Sequence, residues 1–166
     1  MRKGRTPEDD CATVDTTFYG INQECFLDYA FCKLSNNERP ILPRIPWGTN
    51  VTINDFINNL GDGSRYCNVM KAGRETFVTR GVLRDKLSKF KPKGLSGSAS
   101  ALFVRGRGES FGANGDSGSP VFDDNGMLWG IVHGIHPITA VNETAVVPIV
   151  EILNHARNNF GGFALA

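Results

Sequence analysis

The stretch SFGANGDSGSPVFDDNGMLWGIVHG, Ser110 to Gly134, decides how this chain is read. Gly115 and Gly118 flank Asp116 and Ser117, and glycine at those offsets lets the backbone turn tightly. The amides of Gly115 and Ser117 can then converge on one point while the Ser117 hydroxyl stands clear. A serine hydroxyl near neutral pH is a weak nucleophile: it needs a base, a group that orients the base, and donors aimed at a developing oxyanion. This stretch supplies the donors, each worth about 3 kcal/mol in such a setting. Immediately after it, Ser119 to Val132 reads as a hairpin, in which Asp124, Asn125 and Gly126 offer the positive φ angles of a tight turn.

Outward from this hairpin, the chain after Gly61 alternates short β-branched and aromatic runs with Gly, Asn, Asp and Ser, as in CNVMKAG, ETFVTRGVLR, SASALFVRG and TAVVPI. That pattern predicts an antiparallel all-β unit. One helix closes it: after Pro148, Ile149, Ile152, Leu153, Ala156 and Phe160 recur at helical spacing until Gly161 and Gly162, with His155 on the polar face. A shorter helical turn is expected over Ile53 to Leu60. The proline-rich NNERPILPRIPWGTN, Asn36 to Asn50, reads as an extended connector. Before it lies material for two or three strands, too few for a core of their own. The expected organisation is 1–35 as a partial unit, 36–65 as connector and 66–166 as the main unit.

Composition excludes several classes. The 166 residues carry a formal charge of +1, without the basic stripe of a nucleic-acid binder. The cations of Arg84 to Lys93 read as a solvated loop. No apolar run reaches the length of about 20 residues that spans a bilayer, so neither nucleic acid nor membrane is an expected partner. Cys11, Cys25, Cys32 and Cys67 lack metal-site or redox spacing, which leaves room for one or two disulfides of unreadable pairing. The sequons at Asn50 and Asn142 are compatible with secretion without establishing a compartment.

The GDSGSP stretch, followed by VF, DDNG and GIV, resembles the nucleophile region of chymotrypsin-like serine endopeptidases. VMKAGRETFVTRGVL, Val69 to Leu83, resembles the Lys-x-Gly-Arg-x-Thr strand pair that opens the second barrel in microbial members of that superfamily. FLDYAFCKL, Phe26 to Leu34, resembles more loosely the strand that carries the catalytic aspartate. The resemblance implies the second six-stranded antiparallel barrel of a double barrel, a partial first barrel and a C-terminal helix. It also implies Ser117 as nucleophile, Asp28 as orienting carboxylate, the Gly115 and Ser117 amides as oxyanion hole, a peptide or protein substrate, and neither cofactor nor metal. Phe111, six residues before the nucleophile, falls where relatives floor the primary specificity pocket, and His133 and Gly134 fall at its wall. An apolar Phe111 disfavours Lys or Arg in that pocket, although it also suits a barrel core.

Histidine is where the resemblance stops. The family order is His, Asp, Ser, whereas His133, His136 and His155 all follow Ser117. His133 is expected to be a wall of the cleft rather than a base. The sequence thus reads as a serine endopeptidase chain lacking its N-terminal part and nearly inert alone, secreted if that part carries a signal peptide. A non-catalytic homologue that binds peptides or proteins is the alternative. An α/β-hydrolase is excluded locally, because GDSGS lacks the last glycine of the nucleophile elbow and a hairpin follows the serine. A partial first barrel would leave strand edges open to self-association.

Overall fold

The computed structural model describes residues 12–34, 46–138 and 141–161. The strands are β1 (Ala12–Asn22), β2 (Cys25–Leu34), β3 (Asp55–Phe56), β4 (Tyr66–Gly73), β5 (Phe77–Arg84), β6 (Ser88–Phe90), β7 (Ala99–Gly106), β8 (Pro120–Asp123), β9 (Met127–Ile138) and β10 (Val141–Pro148). One helix follows, α1 (Ile149–Phe160). Strands β4, β5, β7, β10, β9 and β8 pair antiparallel in a ring, closed by β5 on β7 through Gly81–Gly106, Val82–Arg105 and Leu83–Val104. This is the closed six-stranded antiparallel barrel expected from the sequence.

Two cores explain why β7, ASALFVRG, is apolar almost throughout rather than alternating. Leu102 and Val104 point into the barrel with Val69, Leu83, Phe111, Val121, Trp129, Val132 and Val146. Ala99, Ala101 and Phe103 point outward, into a second cluster with Phe26, Leu27, Tyr29, Phe90, Val147, Ile152 and Leu153. A strand buried on both faces must be apolar on both. Each fully buried Val, Leu or Phe side chain contributes about 1.5–3 kcal/mol.

The outer cluster seats the β1–β2 hairpin and α1 on the barrel. Gln23 and Glu24 form a two-residue turn with φ of +47° and +66°, the mirror-type geometry that matches strand twist. From there β2 touches β7 in parallel at Cys25–Ser100, and the Ser100 amide donates to the Glu24 carbonyl at 2.7 Å. The buried Cys25 thiol is pushed up to about 12 by its burial and then by the charge of Glu151. Cys25, Cys32 and Cys67 are free thiols, and Cys11 lies outside the described residues.

Three local expectations change. Ile53 to Leu60 forms no helix: β3 adds in parallel to β9, and the Asn54 and Ile57 amides donate to the Gly126 and Leu128 carbonyls. His155 is not on the polar face of α1 but buried, its Nδ1 2.7 Å from the Tyr29 hydroxyl. In the β8–β9 turn only Gly126 takes a positive φ, +79°. Most of the proline-rich connector lies outside the described residues. Lys86, Lys89, Lys91 and Lys93 are exposed as expected, but their segment is not a loop throughout, since Ser88–Phe90 forms β6 against β7.

Candidate active site

Ser117 sits on a loop fastened at both ends by the backbone. The Gly118 amide donates to the Val132 carbonyl at 2.8 Å, the Val132 amide to Ser119 at 2.9 Å, and the Ser119 amide to Asp116 at 3.0 Å. Gly115 and Gly118 have φ of +105° and +86°, where a side chain is strained, and a Cβ on Gly115 would lie 2.5 Å from the Glu75 Cγ. Among the described residues the Gly115 and Ser117 amides have no partner in the chain.

A buried charge pair fixes the loop from below. Asp116 and Lys71 side chains have no exposed surface, and Lys71 Nζ lies 3.2 Å from Asp116 Oδ2. The Thr76 hydroxyl donates to Asp116 Oδ2 at 2.8 Å while accepting from Lys71 Nζ at 2.6 Å. The amides of Glu75, Thr76 and Ala113 donate to the same carboxylate at 2.8, 3.3 and 2.9 Å. Burial alone would raise Asp116, but Thr76, the Glu75 and Ala113 amides and Lys71 together hold it well below the usual carboxylate range. To aim those amides, the β4–β5 turn puts Phe77 at φ +53°, an uncommon conformation for an aromatic residue. Two sequence motifs some forty positions apart, KAGRET and GDSGS, therefore meet in one buried cluster.

Asp28 reaches the same region from β2, its side chain 43% exposed. Its Oδ2 lies 2.9 Å from His133 Nδ1, and the His133 ring tilts over Phe26 with centroids 4.5 Å apart. The Ser117 hydroxyl donates to the His133 carbonyl at 2.8 Å. His133 is the extra residue of a bulge: Val132 faces Val146 and Gly134 faces Ala145, leaving His133 between them unpaired. The bulge releases the carbonyl for Ser117 and turns the imidazole outward to β2, while Val132 stays in the barrel.

The structure thus brings Ser117, His133 and Asp28 together, with Gly134 beside them, where a Cβ would meet open space. Phe111 is placed differently: its ring is fully buried in the barrel core, and its carbonyl accepts from the Thr79 hydroxyl. That is the core role, because a ring without exposed surface offers a ligand nothing to touch. Sequence reasoning did not find the Lys71–Asp116 pair, since nothing local marks partners 45 positions apart, whereas the place of His133 just after GIV had put it near Asp28 through the resemblance alone. Among the described residues no group of three or more His, Cys, Asp or Glu could hold a metal ion, and no helix is long and apolar enough to cross a membrane.

No protein-family model and no curated protein sequence matches the chain. Solved structures do match. A glutamic acid specific serine protease shares 18% identity over 87% of this chain and 71% of its own, with a TM-score of 0.62. Cellulomonas bogoriensis chymotrypsin shares 19% over 92% and 78%, with a TM-score of 0.60. The inactive form of the Rv3671c protease shares 17% over 89% and 66%, with a TM-score of 0.58. The fold is that of the chymotrypsin-like serine proteases.

Proposed function

We propose that the chain carries the acylating machinery of a serine-type endopeptidase, acting on a peptide or protein substrate. The observation that supports this most is the buried Lys71–Asp116 cluster, which holds the backbone on either side of Ser117. The desolvation of a buried ion pair is costly unless every charge is satisfied, and this pair is satisfied by the groups that fix the loop carrying Ser117. In this reading Ser117 Oγ attacks the scissile carbonyl, and the two unpartnered amides of Gly115 and Ser117 receive the oxyanion. Each such donor contributes about 3 kcal/mol to the transition state. Asp28 orients the imidazole that serves the serine. The histidine triad in substrate binding is a property of the glutamic acid specific protease. Here His133 meets Asp28, His136 packs its ring edge against Phe90 and Phe103, and His155 meets Tyr29, so no glutamate preference is transferred.

The test separates nucleophile and oxyanion hole from the question of the base. The chain is treated with a fluorophosphonate in the presence of free imidazole as external base, and the adduct is mapped by mass spectrometry. A single adduct on Ser117, absent in Ser117→Ala and slowed in Gly115→Ala, is expected. No adduct above the Ser117→Ala background would favour the non-catalytic peptide-binding homologue.

A further inference from the structure

We infer that His133 is the general base for Ser117. The inference rests on the endopeptidase reading above, but it places the base where the sequence suggested only a cleft wall. One residue meets both other members of the site: its Nδ1 lies 2.9 Å from Asp28 Oδ2, and its carbonyl accepts the Ser117 hydroxyl at 2.8 Å. An ionised carboxylate only accepts hydrogen bonds, so Nδ1 carries the proton and Nε2 keeps the lone pair that a base needs. Among the described residues Nε2 has no partner, and the His133 side chain keeps 23% of its surface exposed, enough for a substrate to reach. Phe26 limits the ring on one side. His155 does not compete, being buried against Tyr29 and Phe18, nor does His136, between Phe90 and Phe103.

The step begins when the Ser117 hydroxyl turns about its Cα–Cβ bond from the His133 carbonyl to Nε2. As Oγ bonds to the substrate carbonyl carbon, its proton passes to Nε2 and the carbonyl π pair moves to oxygen, leaving an imidazolium held by Asp28. Collapse breaks the C–N bond, and the Nε2 proton leaves with the amine. Water repeats the sequence: its proton goes to Nε2, its oxygen bonds to the acyl carbon, the ester C–O bond breaks, and the proton returns to Ser117 Oγ. The bulge takes His133 out of strand alternation, which frees its carbonyl for Ser117 and leaves its ring on Asp28.

Fluorophosphonate labelling without added imidazole tests the role. His133→Gln retains an amide that can donate to Asp28 but has no basic nitrogen, so it keeps the hairpin docked while removing the base. Labelling of Ser117 in the parent should exceed that of His133→Gln by about a hundredfold or more, the range of general-base contributions. Asp28→Asn, which no longer selects the Nδ1–H tautomer, should also label slowly. In His133→Ala free imidazole should restore labelling, which also shows that the variant is folded. Equal rates in parent and His133→Gln would overturn the role of His133. So would a parent that labels only when imidazole is added, although Ser117 would then remain the nucleophile. Absence of labelling even with imidazole would overturn both readings.

Discussion

Asp116 and Lys71 have no solvent contact, and each depends on the other and on Thr76 for its satisfaction. Asp116→Asn removes the carboxylate but strands the ammonium, an uncompensated buried charge that should cost about 3–5 kcal/mol in urea unfolding. Combining it with Lys71→Met should cost less than the single change, because the two side chains are coupled. The pH dependence follows from the lowered Asp116. Its folded form binds a proton less tightly than the unfolded carboxylate at about 3.9, so its stabilisation is complete above that value and is lost as pH falls towards its lower folded value. Unfolding free energy should therefore drop more steeply below about pH 4 in the parent than in Asp116→Asn. At this scale the Ser117 turn and its glycines were legible, because a tight turn is written in consecutive residues. The sequence could not show which charge answers Asp116, since Lys71 becomes its neighbour only when the barrel closes.

Barrel closure depends on one close approach, β5 on β7. A Cβ on Gly81 would lie 2.6 Å from Val104 Cγ1, 2.7 Å from the Arg105 carbonyl oxygen and 2.8 Å from Phe111 Cδ2. Gly81→Ala should consequently destabilise the chain by about 1–3 kcal/mol, the range for overpacking, as measured by thermal and denaturant unfolding. Gly134→Ala, where the added carbon meets open space, should leave stability nearly unchanged. Elements with local signals were legible: the β8–β9 hairpin through Asp124 to Gly126, and α1 between Pro148 and Gly161. Ile53 to Leu60 misled because its apolar residues suit a helix face in isolation. In the fold, Asn54 and Ile57 instead satisfy carbonyls of Gly126 and Leu128, and Ile57 and Leu60 pack against the barrel core. The β1–β2 turn gave no signal either, since Gln23 and Glu24 replace the usual Asn-Gly and adopt positive φ under the demands of strand pairing.

In the whole molecule the site lies where the β1–β2 hairpin meets the barrel, and successive residues of β2 hold that junction: Asp28 on His133 and Tyr29 on His155. The β1–β2 hairpin is thus seated on the outer core, while Val14, Tyr19 and Ile21 of β1 remain exposed. We propose that this exposed face supports self-association of the isolated chain. The all-β class and the six-stranded barrel were legible because short β-branched and aromatic runs alternate with turn residues after Gly61. The junction was not, because it joins segments that share no local pattern. The central claim is that this junction presents Ser117 for acyl transfer, and an activated peptide ester tests it most directly. After acid quench, mass spectrometry should find the ester's acyl group on Ser117, with a burst of one equivalent of alcohol per chain ahead of any turnover and no burst in Ser117→Ala. No acyl adduct, or one on another residue, would contradict the claim.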